Sequence, residues 1–135
     1  MKIELTEIQY RRLLDMVYIG NWVLNSTRGS DRIADYDAVE SALFALAPSV
    51  GMGVVTTVED GIPMPSEQFE NGGIYEAIAN YEDIVFFEIL AEELARRDME
   101  TEEINPENLI ELTARMDEYI AEFEQNGMDH IVLEK

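Results

Sequence analysis

Apolar side chains recur at steps of three and four residues through most of the chain, and turn-forming residues divide this pattern into four stretches. Such steps keep side chains on one face of an α-helix, so each stretch predicts an amphipathic helix. The dividing segments include Arg28-Gly29-Ser30, Pro48 and Asn105-Pro106, which stop or start helices. The chain is therefore predicted to be all-α, a small four-helix bundle-like domain spanning residues 1–135.

Local capping signals set the predicted helix limits. Thr6 and Asp35 are suited to cap the first and second helices, because their side-chain oxygens can accept from free backbone N–H groups. Asn105, followed by proline, starts the fourth helix, and Gly127 ends it. The four predicted helices cover about 6–27, 35–48, 71–98 and 105–127. The third has two apolar faces, which predicts a central place in the bundle.

Residues 49–72 lack the helical pattern and form a long irregular connection. Val54–Val58 is rich in β-branched residues and Glu59-Asp60-Gly61 favours a turn, so a short β-hairpin can form here. Pro63 and Pro65 weaken its second arm, because proline donates no backbone hydrogen bond. The connection has two interpretations, a functional loop or a tolerated insertion, and the pattern does not separate them.

Both ends of the chain have some β character. Apolar and polar residues alternate in Lys2–Leu5, and His130–Leu133 is rich in β-forming residues. These segments predict two short terminal strands that can pair with each other.

The acidic residues are concentrated in the second part of the chain. Of 29 Asp and Glu residues, 22 lie in residues 56–135, which hold only four Lys or Arg, so this segment carries −18 of the formal net charge of −20. Such a surface repels nucleic acid and anionic membranes and attracts basic proteins. Direct binding to nucleic acid or membrane is therefore not expected, and a basic protein surface is the favoured partner.

Several chemistries are excluded by composition. The chain has no cysteine, which rules out disulfides, thiolate catalysis, iron–sulfur clusters and cysteine-bound zinc. A cysteine-free chain without a signal-peptide pattern favours a cytoplasmic location. The most apolar stretch, Ile84–Leu90, contains Glu88 and is too short to span a bilayer.

Catalytic motifs are missing as well. The sequence has no phosphate-binding glycine loop, no nucleophile elbow and no zinc-protease motif. His130 is the only histidine, so any triad or imidazole-based metal site would depend on this one residue near the C-terminal end, and the di-iron pattern of two Glu-x-x-His pairs cannot be made. An enzyme is therefore not favoured, and no cofactor is predicted.

One side of the first predicted helix combines amides, aromatic rings and a guanidinium group at helical spacing. These groups can orient a small ligand or anchor a protein partner. The structural alternative is that the tryptophan belongs to the core and the asparagines satisfy nearby backbone groups. We call this set the polar stripe: Tyr18, Asn21, Trp22, Asn25 and Arg28.

Carboxylates four residues apart share faces of the third and fourth predicted helices. Glu88 interrupts an apolar run at a position predicted to be largely buried, where a carboxylate paired with Arg28, Arg32, Arg11 or Arg12 can mark a functional site. The alternatives are a structural ion pair between helices or a solvent-facing position. We call the following set the acidic surface: Glu88, Glu92, Glu93, Glu107, Glu111, Glu118 and Glu122.

Three function classes follow from these features. The leading hypothesis is a non-enzymatic acidic module that binds a basic protein surface, in its narrower form a nucleic-acid mimic that inhibits a DNA-binding protein. The first alternative is a bundle that binds a small ligand through the polar stripe. The second alternative is a carboxylate-based metal protein centred on Glu88 and Glu92. The oligomeric state is not predicted.

Overall fold

The structure, a computed structural model, describes residues 1–134, most of which lie in helices. Four helices of more than ten residues confirm the mostly helical prediction, and one antiparallel hairpin confirms the predicted β element. The elements are α1 (Glu7–Asn25), α2 (Ala34–Phe44), β1 (Thr56–Glu59), β2 (Ile62–Pro65), the single turn α3 (Glu67–Phe69), α4 (Tyr75–Met99) and α5 (Leu109–Asn126).

The chain divides into two compact units. The first ends at Ile78 and the second begins at Ala79, so α4 starts in the first unit and continues in the second. One domain over residues 1–135 stays a prediction.

Helix α1 begins at the predicted cap. Thr6 Oγ1 accepts from the Gln9 backbone N–H at 3.1 Å and Gln9 Oε1 accepts from the Thr6 N–H at 2.9 Å, which forms a capping box. The apolar spacing of this segment predicts that its buried face comprises Ile8, Leu13, Leu14, Val17, Tyr18, Val23 and Leu24. Of these, only Leu14 and Tyr18 are buried, and Val23 is 60% exposed. The buried positions instead step by three or four through Tyr10, Leu14, Tyr18, Asn21 and Asn25.

The predicted limits of the second helix were wrong at both ends. Ile33, not Asp35, is the residue before its first turn, and no side chain caps it. Asp35 lies in the first turn, where its charge favours the positive end of the helix. The helix ends at Phe44, and Pro48 lies in a separate 3₁₀ turn, Ala47–Val50.

The hairpin accommodates both prolines. Asp60 and Gly61 have φ of 53° and 78°, the left-handed pair that a two-residue turn between right-twisted strands needs. Thr56 faces Pro65 and Val58 faces Pro63, with Thr57–Met64 between them. The prolines thus occupy alternate positions of β2, where no N–H is needed for the ladder.

The first unit closes its core with the segment after the hairpin. The Ser66 hydroxyl accepts from the Phe69 N–H at 3.1 Å and caps α3, which buries Phe69. A wider turn, Glu70–Ile74, then leads to α4, and Gly73 has a φ of 111° that a side chain would strain. The core of this unit comprises Tyr10, Leu14, Tyr18, Phe44, Ala47, Val55, Phe69, Ile74 and Ile78.

In the second unit, α4 and α5 pack through aromatic and small residues. The rings of Phe87 and Phe123 lie 5.3 Å apart, and Ala91, Ala95 and Leu112 are buried. Helix α5 starts at Leu109, later than predicted, because the Asn105 side chain first stabilises a turn over residues 106–108. Gly127 ends this helix with φ 57°, which confirms the predicted end.

The predicted terminal strands are wrong. Lys2–Leu5 and His130–Leu133 have no strand structure, and β1–β2 is the only sheet in residues 1–134. A strand requires a hydrogen-bonded neighbour. Without one, alternating residues stay irregular, and Val132 and Leu133 are more than three-quarters exposed.

Candidate functional site

A small polar cavity lies at α1, α2 and the connection between them. Its volume is about 200 Å³. We call it the α1–α2 pocket; its lining consists of Tyr18, Asn21, Trp22, Ser26, Arg32 and Glu40. Three of these six residues belong to the polar stripe, so the structure brings part of the stripe together around one cavity.

Asn21 joins the two helices beside this pocket. Its Nδ2 donates to Asp37 Oδ1 at 2.9 Å and to Glu40 Oε2 at 3.2 Å, and its Oδ1 accepts from Asn25 Nδ2 at 2.8 Å. Only 7% of Asn21 is exposed, so these bonds replace the water that the amide has lost. Asn21 therefore holds the carboxylates of α2 in place.

The pocket carries an excess of negative charge. Arg32 binds Asp37 through two bonds of 2.6 and 2.7 Å, which lowers the pKa of Asp37 and occupies the guanidinium. Burial raises the pKa of Glu40 and the charges of Asp37 and Glu70 raise it further, whereas the Asn21 bond and the charge of Arg32 oppose the rise. Arg32 forms its ion pair with Asp37 rather than with Glu40, so a positively charged group can pair directly with an ionised Glu40.

Two phenols hold the nearby Glu70. Tyr18 donates to Glu70 Oε2 at 2.6 Å, and Tyr75 donates to the same oxygen. Burial, followed by the bond to Glu70, raises the pKa of Tyr18. Tyr18 is therefore a hydrogen-bond donor and a wall of the pocket, and it is unsuited to act as a base.

The other two stripe residues have structural contacts. Asn25 is 1% exposed; its Nδ2 donates to the Ile33 carbonyl at 3.0 Å and its Oδ1 accepts from the Ile33 N–H at 2.8 Å. Arg28 is exposed, donates to the Leu24 carbonyl and pairs with Asp31. Neither side chain lines the pocket.

Sequence reasoning did not include Glu40 among the site residues, and it named Arg32 only as a partner for Glu88. The available signal was the step from Asp37 to Glu40, which places two acids on one side of α2. That step alone does not reveal which partner faces them, because Asn21 lies 16 residues from Asp37.

A second candidate site is the acidic surface of the second unit. Residues 79–134 hold 17 Asp or Glu and three arginines. Each arginine already pairs with a carboxylate of the same unit: Arg96 with Glu92, Arg97 with Asp98 and Arg115 with Glu111. Most carboxylates of this unit therefore have no arginine partner.

The seven predicted residues of the acidic surface have different environments. Glu88, Glu93, Glu107 and Glu118 are exposed and form no ion pair within the described chain. Glu92 and Glu111 pair with arginines, and half-buried Glu122 accepts from Asn126 and contacts His130. The prediction that Glu88 is buried was wrong, because the inward face of α4 passes through Phe87 and Ala91. Arg28 and Arg32 instead bind Asp31 and Asp37.

A groove between α4 and α5 lies within this surface. Its volume is about 300 Å³. Apolar side chains form its floor, and three exposed carboxylates form its rim. We call it the acidic groove; the floor is Ile84, Phe87, Ile120 and Phe123, and the rim is Asp83, Glu88 and Glu124.

The structure gives no geometric support to the metal alternative. In residues 1–134, no three His, Asp or Glu side chains come close enough together to hold a metal ion. Glu92, one of the two proposed ligands, is bonded to Arg96 at 2.7 and 2.9 Å.

Within residues 1–134, no helix is both long and apolar enough to cross a membrane.

Comparisons with known proteins add no relative. No protein-family model, curated protein or solved structure matches the chain. The two sites themselves therefore carry the functional argument.

Proposed function

We propose that the protein is a non-enzymatic acidic interaction module whose second unit binds a basic protein surface. The observation that carries this proposal is the excess of exposed carboxylates over cations in that unit, where the three arginines are already paired. Exposed carboxylates attract Lys and Arg over distances near the Debye length and steer a basic partner towards the surface.

The proposal predicts strong salt dependence. Fluorescently labelled polylysine should bind at about 0.05 M NaCl, and its affinity should fall at least about tenfold by 0.5 M, because salt screens exposed charges. Fluorescence anisotropy measures this change. Polyglutamate of the same length is the control and should not bind. An affinity for polylysine that does not change with salt contradicts the proposal.

The narrower form of the proposal is that the carboxylates imitate nucleic-acid phosphates. It requires duplex DNA and this protein to compete for one partner protein, whereas the general form does not. We also propose a four-helix bundle-like arrangement, which would present the acids of α4 and α5 on one rigid surface.

A second candidate function is binding of a small organic amine in the α1–α2 pocket. The observation that favours it is the half-buried Glu40 carboxylate, which lines a cavity together with the Trp22 ring. An ammonium group can pair with Glu40 while its carbon chain contacts the indole, and cations also bind aromatic faces directly.

Glu40→Gln tests this candidate. Because folding raises the pKa of Glu40, the protonated carboxyl favours the folded state. This contribution to stability is complete below the pKa that Glu40 has in the unfolded chain, and it is lost as pH rises through the pKa that Glu40 has in the folded protein. The variant should therefore be more stable than the parent at pH 7, by less than about 1 kcal/mol since water screens the half-exposed group. This advantage should disappear at low pH.

The same variant should lose the ligand response. Ethylammonium at millimolar concentration should raise the melting temperature of the parent by about 1–3 °C. It should not raise that of Glu40→Gln. Ethanol, which has the same carbon chain without the charge, is the control. Equal shifts with both compounds, or in both proteins, contradict the amine site.

A further inference from the structure

We propose that the acidic groove binds one amphipathic helix of a partner protein, with apolar residues on one face and Lys or Arg along its flanks. This inference rests on the proposed function, and it adds the shape and chemistry of the partner segment.

The floor of the groove is apolar and open. Ile84 is 61% exposed, whereas Phe123, which also lines the groove, is only 6% exposed. The exposed apolar surface continues to Tyr81, which lies one turn before Ile84 on the same side of α4 and is 63% exposed. Side chains of this size in one region are typical of a binding surface, since isolated exposed apolar residues are common but clustered ones are not.

The rim has the charge that a basic helix needs. Asp83, Glu88 and Glu124 are exposed, and none of them forms an ion pair within residues 1–134. Asp83 and Glu88 come from α4 and Glu124 from α5, so the carboxylates stand on both sides of the floor. A helix whose apolar face enters the groove would place its flanking Lys and Arg beside them.

A helix fits this site better than an extended strand. Strand addition uses the free edge of a sheet, and the described part of the second unit consists of helices without strands. Two packed helices leave a groove into which the side chains of a third helix, three and four residues apart, can insert.

A second copy of this chain is the less suitable occupant. The formal net charge is −20. A two-fold interface brings the same patch of each copy together, so the rim carboxylates of both copies would meet in a desolvated space. Like charges in contact across an interface oppose association, whereas a basic helix relieves the same repulsion.

Two labelled peptides of about 18 residues, roughly five helical turns, separate this inference from the proposed function. The two peptides have the same composition, with equal numbers of Leu and Lys. One has its leucines at helical spacing, and the other has the same residues in scrambled order. The helical peptide should bind at least about tenfold more tightly at 0.15 M NaCl, because it alone can place an apolar face in the groove. Its helical circular dichroism should increase on binding.

Substitutions locate the contact. Ile84→Gln should weaken binding of the helical peptide about fivefold or more and leave the scrambled peptide unchanged, because it removes exposed apolar surface from the floor. Ile110→Gln is the matched control, since Ile110 is 80% exposed on α5 and does not line the groove. Glu88→Lys should also weaken the helical peptide more than Glu118→Lys, which makes the same charge change outside the groove.

The outcomes are distinguishable. Equal, salt-sensitive binding of both peptides, unaffected by Ile84→Gln, overturns the helix groove and leaves the acidic module standing. No binding of either peptide or of polylysine at low salt overturns both. A protein that sediments as a dimer and becomes a monomer on Ile84→Gln shows that a second copy covers the groove, which also overturns the inference.

Discussion

Phe69→Ala is expected to lower the free energy of unfolding of the first unit by about 3–5 kcal/mol, the range for removing a buried aromatic ring. Phe69 is 1% exposed, and its ring meets Phe44 edge-on with centroids 5.0 Å apart. The ring also lies 5.3 Å from that of Tyr18, and the Arg11 guanidinium carbon is 4.7 Å from its centre. The substitution removes contacts with all three neighbours.

Urea unfolding followed by tryptophan fluorescence measures the stability of the first unit, because Trp22 is the only tryptophan and lies in that unit. Tyr36→Ala, at a position of the first unit that is 42% exposed, is the control and should cost less than about 1 kcal/mol. If Phe69→Ala prevents folding, Phe69→Leu should still unfold at lower urea than the parent. A cost of Phe69→Ala similar to that of Tyr36→Ala would show that residues 66–74 do not belong to the core.

Phe69 also shows what the sequence pattern could and could not predict. Elements fixed by neighbouring residues were predicted well: the Thr6 cap, the turn at Asp60-Gly61 and the end of α5 at Gly127. Phe69 lies in the connection that was assigned as irregular, and the cap at Ser66 was the local signal that was missed. Its burial depends on Phe44, 25 residues earlier in the sequence, and short-range patterns carry no information on such contacts.

The buried face of α1 was predicted wrongly for a related reason. Apolar spacing pointed to Val23 and Leu24, which the structure exposes, whereas Asn21 and Asn25 point inward. An asparagine can occupy a buried position when its donors and acceptors are all used, and here α2 and its preceding residue provide the partners. A hydrophobicity pattern classes both asparagines as surface residues. The sequence therefore identified the polar stripe, but it did not show that Asn21 lines a pocket whereas Asn25 bonds to the backbone of Ile33.

The carboxylates of α4 and α5 present the opposite case. Their number and helical spacing were evident from the sequence, and the structure adds which of them have partners. Asp83 and Glu124 become candidate binding residues only because folding places them in one groove with Phe87 and Phe123. In general a high surface charge favours solubility, and its sign determines which charged partners a surface attracts.

Asn25→Ala is expected to destabilise the first unit by about 2–4 kcal/mol, because it leaves two backbone groups and one amide without partners. Both polar atoms of Ile33 bond to the Asn25 side chain, at 2.8 and 3.0 Å, and α2 has no side-chain cap of its own. Asn25 thus fixes the point at which α2 starts. Urea unfolding monitored by Trp22 gives the measurement. The control is Gln68→Ala, which removes an exposed amide in α3 of the first unit and should change stability by no more than about 0.5 kcal/mol.

Asn25→Asp distinguishes lost hydrogen bonds from lost packing volume. The variant keeps the shape of the side chain and the acceptor for the Ile33 N–H, but it replaces the donor with a charge in a site that is 1% exposed. At neutral pH it should be at least as unstable as Asn25→Ala, and it should recover stability at low pH, where a protonated carboxyl can again donate. If Asn25→Ala is instead as stable as the parent, the Asn25 amide is not needed by Ile33. The interpretation of Asn25 as a ligand-binding group would then regain its basis.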